Sequence, residues 1–296
     1  MRRPSRLEVM LLVTVLLWAL NLTVTRYILT HGFQPLAYAT VRYGLAVAIF
    51  VAIALVAERT VRIAPRDLPL ALVAAAFIFL NQLAFVYALD RTSASTIALI
   101  LGATPAFAAV IGLALGLERL SRRFWIAAAV SFAGVGLVAI GSGGEVAGDG
   151  LGILLGVATA GTWAAYSVAV GPLMERYSPS RISVVALGVA WIGIALVGLP
   201  QTADQDLDVG GKVWTLLLFA TLGPLVLTTI LWFRVIHRIG AARATLVANL
   251  QPFVAAVVAL LLLSEQLTLV QVLGGALIAG GILTARRRAP VVAGAE

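Results

Sequence analysis

The feature that most limits the fold of this chain is a series of apolar blocks, each roughly 20 residues long and nearly free of charge. A helix of that length spans the ~30 Å hydrocarbon core of a bilayer. Hydrophobic residues make up 61% of the 296 residues and charged residues 11%. Soluble domains average about 45–50% and about 25%, so a soluble fold could not hide this much apolar surface. The sequence therefore predicts an all-α polytopic membrane protein.

Ten such blocks follow one another, at residues 7–29, 35–56, 68–89, 93–115, 124–141, 150–171, 181–199, 213–236, 241–263 and 269–285. The connections between them are short, and the longest, residues 200–211, is too short for a soluble domain. The first block is longer than a signal-peptide core and no small-residue cleavage site follows it, so we expect it to remain in the mature protein. The prediction is ten transmembrane helices.

Positive charge is unevenly divided between the two sets of connections. The chain has twenty Arg and one Lys, and sixteen of the Arg fall in alternate connections. These sixteen are Arg2, Arg3, Arg6, Arg59, Arg62, Arg66, Arg119, Arg122, Arg123, Arg176, Arg181, Arg238, Arg243, Arg286, Arg287 and Arg288. The opposite set holds only Arg91 and Lys212. Basic connections face the cytoplasm, so we expect a bacterial-type inner-membrane protein with both termini cytoplasmic.

The chain contains an internal repeat. Proline, glutamate and tryptophan residues of the first half recur in the second half in the same order, at offsets of 144 to 147. The matched pairs are Pro35 and Pro179, Trp18 and Trp163, Pro105 and Pro252, and Glu118 and Glu265. Five spans in each half is an odd number, so the halves at 1–141 and 150–288 must lie in opposite orientations, as in many secondary transporters. We expect residues 142–149 to form an outer loop and 289–296 a cytoplasmic tail.

With this doubled pattern the sequence resembles the EamA family of the drug/metabolite transporter superfamily. The resemblance covers nearly the whole chain and rests on WALN at 18–21, WAAY at 163–166, the proline-to-glutamate spacing, and the ending E-x-L…GGALIAGGIL at 265–283. It implies ten helices around a central cavity and export of a metabolite, without supplying a substrate. The aromatic residues and the lack of buried carboxylates are similar to the amino-acid exporter branch.

Candidate substrate-binding residues are the polar and aromatic side chains inside the blocks. Trp18 and Asn21 lie on one helical stripe, which Trp163 and Tyr166 repeat in the second half. The matched prolines free backbone acceptors, which must be re-satisfied or line a wet cavity. Matched interruptions in two halves are typical of a transporter site. The candidates are Trp18, Asn21, Arg42, Asn81, Gln82, Thr104, Trp163, Tyr166, Trp232, Asn249 and Gln251, with Pro105, Pro224 and Pro252 as helix-interrupting residues.

Arg42 is the charge that lies deepest in a block, about seven residues or ~10 Å from its start. Two interpretations are open for it: a side chain that reaches the outer interface, or an anchor for a substrate carboxylate near the cavity mouth. A single basic residue does not make the paired site expected for phosphorylated compounds. Glu118 and Glu265, which end the matched helices, are expected to pair with local Arg or backbone donors as structural residues.

The remaining chemistry points to transport without a cofactor. All thirteen acids lie in loops or at block ends, so no carboxylate is available mid-span for a proton relay. The chain has no Cys and no G-x-x-x-x-G-K-[ST] sequence, and its two His lie at block ends, so no cofactor or metal site is expected. We predict a secondary transporter that is not an enzyme and exports a small neutral or zwitterionic metabolite, amino acids including aromatic ones.

Two alternatives stay open. One is a carrier of anionic or phosphorylated metabolites, which two or more basic side chains in the cavity would favour. The other is a non-transporting membrane protein or an intramembrane enzyme. The expected partners are the small-molecule substrate and the lipid bilayer, with no nucleic acid and no ATP-binding domain in the chain, since the Arg are spread over six short connections rather than one stripe.

Overall fold

The computed structural model of the chain describes residues 6–92, 94–141, 149–263 and 268–286, and the regular elements in these ranges are helices. In chain order they are α1 (Arg6–Thr30), α2 (Pro35–Glu58), α3 (Leu68–Arg91), α4 (Ala94–Leu101), α5 (Thr104–Ala114), α6 (Arg122–Gly141), α7 (Gly150–Leu173), α8 (Pro179–Val197), α9 (Leu199–Ala203), α10 (Gly211–Thr221), α11 (Thr228–Ile239), α12 (Ala241–Ala248), α13 (Gln251–Leu263) and α14 (Leu269–Arg286). A 3-10 turn, Pro65–Asp67, precedes α3, and a π-helical turn, Leu222–Leu227, joins α10 to α11.

Nine stretches of helix in the described ranges are long and apolar enough to cross a membrane. Three of them combine shorter helices: α4 with α5 (Thr96–Ala114), α10 with α11 (Gly211–Ile239), and α12 with the start of α13 (Ala241–Val258). The tenth predicted block corresponds to α14, whose apolar part, Leu269–Ala285, is shorter than the other nine. The multi-pass, all-helical architecture is confirmed, and a tenth complete crossing stays a prediction.

Two of the spans are interrupted at equivalent places. Helix α4 ends at Leu101 and α5 begins at Thr104, whereas α12 ends at Ala248 and α13 begins at Gln251. Adding 147 to 101 and to 104 gives 248 and 251, so the two breaks coincide under the repeat offset. In each case a proline occupies the second position of the new helix, where its missing N–H breaks no helical hydrogen bond.

Helices α6 and α14, which occupy equivalent positions in the two halves, pack side by side. Gly134 and Gly274 bring their backbones into contact, because a Cβ on either glycine would lie 2.6 Å from the carbonyl oxygen of the other. Near the end of α6, the Thr268 hydroxyl that precedes α14 donates to the carbonyl of Gly141 at 3.1 Å. The end of one helix therefore meets the start of the other, and the two run antiparallel.

Helices α2 and α8 are also antiparallel neighbours. At one end, Ser178, which caps the start of α8, donates to the Glu58 carboxylate that ends α2. At the other end, Gln201 in α9, just beyond α8, accepts a hydrogen bond from the backbone N–H of Leu36 at 2.8 Å. Both ends of the pair are thus tied by polar contacts.

Charged contacts at the helix ends separate into two groups. Asp67 accepts hydrogen bonds from Arg176 and from the Tyr177 hydroxyl, the latter at 2.6 Å, and this joins two connections that the Arg distribution assigns to the cytoplasm. Arg91 and Asp149 form an ion pair of 2.7 Å between two connections assigned to the outside. The Gly152 backbone N–H, followed by the Arg91 guanidinium, holds the pKa of the Asp149 carboxyl below its usual value.

Candidate functional site

A cavity lies between α1, α2, α3, α7 and the interrupted spans. Its empty volume, with the open mouth included, is about 1130 Å³. All eleven candidate binding residues line it: Trp18, Asn21, Arg42, Asn81, Gln82, Thr104, Trp163, Tyr166, Trp232, Asn249 and Gln251. Pro224 and Pro252 line it too, whereas Pro105 is buried at the start of α5 and does not. The structure places the eleven candidate residues in the cavity wall, and substrate binding by them stays a prediction.

Three tryptophans form an aromatic cluster on one side of the cavity. Trp18 contacts Trp163 and Trp232 edge to face, with ring centroids 5.4 and 4.8 Å apart, and the Trp163 and Trp232 rings lie 6.2 Å apart. The Trp18 indole N–H donates to the Thr228 hydroxyl at 3.0 Å, and that of Trp232 donates to Ser167 at 3.3 Å. Within the described chain, the Trp163 indole N–H donates to no protein group. Trp163 is therefore the tryptophan whose polar atom is open to a ligand.

Two buried polar atoms in the cavity wall have no hydrogen-bond partner in the described part of the chain. They are Nε2 of Gln82 and the hydroxyl of Tyr166, and both residues are at most 3% exposed. The Tyr166 ring is fixed by contacts with Trp163 and Phe233 at 5.6 and 5.9 Å. A buried donor without an acceptor costs about 1–3 kcal/mol, so a ligand acceptor would relieve this cost, and ligand binding by both atoms stays a prediction.

The two helix breaks are joined across the cavity. Asn249, in the break between α12 and α13, donates to the Gly102 carbonyl at 3.0 Å and to the Ser131 hydroxyl at 3.2 Å. Gly102 lies in the break between α4 and α5, and the two positions are separated by the repeat offset of 147. Gln251 donates to the carbonyl of Trp18 at 3.1 Å. Asn249 thus satisfies a backbone acceptor in the break between α4 and α5, as apolar surroundings require, and Gln251 ties the second break to α1.

Asn81 has a similar bridging role between α3 and α7. Its amide donates to the Thr159 carbonyl at 2.8 Å and to the Thr162 hydroxyl at 3.3 Å. Asn81, Asn249 and Gln251 line the cavity while their N–H groups bind protein acceptors. Among the candidate amides, Gln82 has a fully buried nitrogen without a hydrogen-bond partner in the described chain.

Arg42 points into the bundle. The residue is 4% exposed, and its Nε and Nη2 donate to the Ala220 carbonyl at 3.3 and 3.1 Å, with a further bond of 3.2 Å from Nη2 to Asn21. Ala220 precedes Pro224 by four residues, and because proline has no N–H, this carbonyl loses its usual helical partner. Arg42 supplies the missing donors. The interpretation of Arg42 as an interfacial side chain is wrong, because its guanidinium is held by α10 and α1.

Several lining residues were missed by the sequence analysis, including Tyr43, Phe85 and Thr229. The repeat could have found two of them. Phe85 lies 147 positions before Trp232, and Thr229 lies 147 positions after Gln82. Tyr43 lies 144 positions before Leu187, which also lines the cavity, but an aliphatic counterpart gives no signal of a binding residue.

Glu118 has the structural role expected of it. Its Oε1 accepts hydrogen bonds from the backbone N–H groups of Ala241 and Ala242 at 2.7 and 3.2 Å, so it caps the start of α12. A carboxylate is favourable there because of the free N–H groups and the positive end of the helix dipole. Glu265, its partner in the repeat, lies outside the described residues.

Apolar helices that cross the membrane around a central cavity with a polar and aromatic wall are the architecture of a membrane transporter. The family model of the EamA-like transporter family matches residues 6–140 and 150–287. The chain belongs to this family, which confirms the resemblance seen in the sequence.

Individual relatives agree with this membership. An uncharacterized transporter from Archaeoglobus fulgidus is 25% identical over 289 residues, which are 95% of this chain and 98% of the relative. A second uncharacterized transporter from the same organism is 27% identical over 213 residues, 72% of this chain and 74% of the relative. A solved crystal structure superposes with a TM-score of 0.75 over 95% of this chain and 96% of that one at 19% identity, which shows a shared fold.

Proposed function

We propose that the chain is a secondary transporter that exports small neutral or zwitterionic metabolites, amino acids including aromatic ones. It works by alternating access between two inverted five-helix halves, in a bacterial-type inner membrane with both termini in the cytoplasm. The observation that carries the proposal is the cavity itself, which lies between two matched helix breaks and is lined by residues of both halves.

The cavity lining supports the inverted repeat. Most lining residues of the first half have a lining counterpart in the second half at an offset of 145 or 147. Such pairs are Trp18 and Trp163, Asn21 and Tyr166, Ile78 and Leu225, Asn81 and Thr228, Gln82 and Thr229, Phe85 and Trp232, Ala98 and Thr245, Leu101 and Ala248, Gly102 and Asn249, and Thr104 and Gln251. A substrate site between two equivalent halves is the plan of many secondary transporters.

Helix direction supports the inversion as well. The equivalent pairs α2 with α8 and α6 with α14 run antiparallel, as their end contacts show. Glu118, just beyond the end of α5, caps the start of α12, so the span of α12 and α13 runs opposite to that of α4 and α5. Two halves in the same orientation would give parallel pairs.

The substrate class follows from the balance of the cavity wall. The lining combines seven aromatic side chains with aliphatic, amide and hydroxyl groups, and this mixture suits an apolar body with a polar end. Among the lining residues of the described chain, Arg42 is the single cation and no carboxylate is present. The alternative of a carrier for phosphorylated compounds requires at least two cations there, so the wall does not support that alternative.

Counterflow in proteoliposomes tests the proposal. Vesicles loaded with one amino acid should accumulate a labelled one from outside, aromatic amino acids should exchange best, and protein-free vesicles should show no accumulation. Because no carboxylate lies mid-span, we expect similar initial rates with and without a pH gradient. Absence of exchange for every amino acid in a panel of all twenty would refute the proposed substrate class.

A further inference from the structure

We propose that the cavity selects its substrate by one carboxylate group, which binds Arg42 and the amide of Gln82, and that the α-amine of an amino acid contributes little to binding. The inference rests on the proposed transport function and names the substrate class of the same cavity. That class is aromatic or apolar monocarboxylates, with or without an α-amino group.

The charge of Arg42 favours a carboxylate ligand. Arg42 is buried, forms none of the ion pairs found among the described residues, and has neutral acceptors at Ala220 and Asn21. A buried charge without a counterion is costly, so it is retained where it serves a function. A carboxylate ligand would supply the missing charge, since charge-assisted hydrogen bonds are shorter and about twice as strong as neutral ones.

Neutral neighbours hold the Arg42 guanidinium in a fixed position. The carbonyl that Pro224 leaves free at Ala220 receives both Nε and Nη2 of Arg42, which fixes the plane of the guanidinium against α10. The Tyr38 ring lies 5.6 Å from the guanidinium carbon and supports it from α2. Arg42 is therefore held in place by neutral groups while its charge is left for a ligand. Such preorganisation reduces the entropy lost on binding.

Hydrogen-bond donors without partners in the cavity wall also favour a carboxylate ligand. Nε2 of Gln82 and the Tyr166 hydroxyl are donors without partners in the described chain, and both residues line the same cavity as Arg42. A carboxylate offers two acceptor oxygens to these donors. The lining residues include no Asp or Glu that would pair with an ammonium group. A substrate without its carboxylate therefore leaves buried donors unpaired, whereas one without its amine leaves no protein charge unpaired.

A ligand series with one phenyl body tests the inference on the full-length protein in nanodiscs. Phenylalanine carries both groups, 3-phenylpropionate lacks the amine, phenethylamine lacks the carboxylate, and phenylalaninamide has a neutral amide in its place. Binding is followed by quenching of the intrinsic tryptophan fluorescence. We expect similar dissociation constants for phenylalanine and 3-phenylpropionate, and values about 10- to 100-fold weaker for the other two, the range of a hydrogen bond to a charged group.

Two variants and a control identify the residues. Arg42→Gln should remove the preference for phenylalanine over phenylalaninamide. Arg26→Gln should keep it, because Arg26 also donates to backbone carbonyls, those of Leu89 and Thr92, but does not line the cavity. Gln82→Glu keeps the shape of the side chain and adds a negative charge, so it should shift the preference from 3-phenylpropionate towards phenethylamine. This second variant decides the question if Arg42→Gln fails to fold.

The outcomes separate the inference from the transport function. Wild-type protein that binds phenethylamine as tightly as 3-phenylpropionate would overturn carboxylate selection, as would folded Arg42→Gln protein with the wild-type preference. If amino acids exchange but the analogues without a carboxylate exchange equally well, the transport function stands and the inference is overturned. Carboxylate-selective binding without any counterflow would leave the inference standing and overturn the proposed transport function.

Discussion

Trp163→Ala is the most informative single change at the aromatic cluster. The side chain is half-buried, its ring contacts Trp18, Tyr166 and Trp232 at 5.4 to 6.2 Å, and its N–H donates to no protein group in the described chain. The other two tryptophan N–H groups bind Thr228 and Ser167. Removal of Trp163 therefore takes from the substrate one aromatic face and one free donor.

The expected loss of substrate affinity in Trp163→Ala follows from these two losses. An aromatic contact contributes about 0.5–1.5 kcal/mol beyond burial, and a neutral hydrogen bond contributes about 0.5–1.5 kcal/mol. Their sum, about 1–3 kcal/mol, predicts affinity for aromatic amino acids that is about 5- to 150-fold lower. Small amino acids should lose less, because they present no ring. Destabilisation should stay below the about 3–5 kcal/mol typical of Trp→Ala in a core, since the side chain is only half-buried.

The assay is counterflow with concentration series for phenylalanine and alanine, together with thermal unfolding of each variant. Trp163→Phe keeps an aromatic ring and removes the N–H, so it should fall between wild type and Trp163→Ala. Trp125→Ala is the control, because Trp125 lies near the start of α6, is 37% exposed and does not line the cavity. Folded Trp163→Ala protein that exchanges phenylalanine with wild-type affinity would refute the assignment of the aromatic cluster to the substrate.

Three further predictions concern topology, a helix cap and pH. Single cysteines in this cysteine-free chain test the orientation: in intact cells Asp204→Cys should react with a membrane-impermeant thiol reagent and Arg66→Cys should not, and the reverse pattern would overturn the topology. Glu118→Gln keeps an acceptor oxygen and removes the charge, so it should lower the free energy of unfolding by about 0.3–1 kcal/mol, measured by thermal unfolding; unchanged stability with loss of pH-driven transport would instead identify a proton site. The lowered pKa of Asp149 stabilises the fold at pH values above about 4 and loses its effect as the pH falls through the folded-state pKa. Asp149→Asn should therefore destabilise the fold at neutral pH, and this effect should shrink as the pH falls through the folded-state pKa; an effect that does not change with pH would contradict this sign.

The helices and their breaks were predictable from the sequence because each depends on local information. Block length sets the spans, and Pro105 and Pro252 lie within two residues of where α5 and α13 begin. The polar candidates were predictable for a related reason, since apolar surroundings do not tolerate polar side chains without partners or water. Burial in the bundle was therefore the expected location for Asn81, Gln82 and Asn249.

The partners of those side chains were not predictable, because they depend on contacts between distant segments. The sequence does not reveal that Asn249 binds the Gly102 carbonyl, nor that the Gln82 nitrogen has no partner in the described part of the chain while that of the adjacent Asn81 has one. The sequence did not decide whether the Arg42 side chain reaches out to water or into the helix bundle, since both are possible for an arginine ~10 Å into a span. Packing against α10 decided between them.

Two departures from the repeat fall where a substrate would require asymmetry. An inverted repeat supplies equivalent side chains on both sides of a cavity, but an amino acid has different ends, so at least one end must be recognised by an unmatched residue. Arg42 falls on Ala186 at an offset of 144, and Pro224 falls on Phe77 at an offset of 147, and neither counterpart lines the cavity. These two unmatched residues are linked through one carbonyl, that of Ala220, which Pro224 leaves free and Arg42 binds. The repeat thus accounts for most of the cavity lining, and this unmatched pair supplies the single cation among the described lining residues.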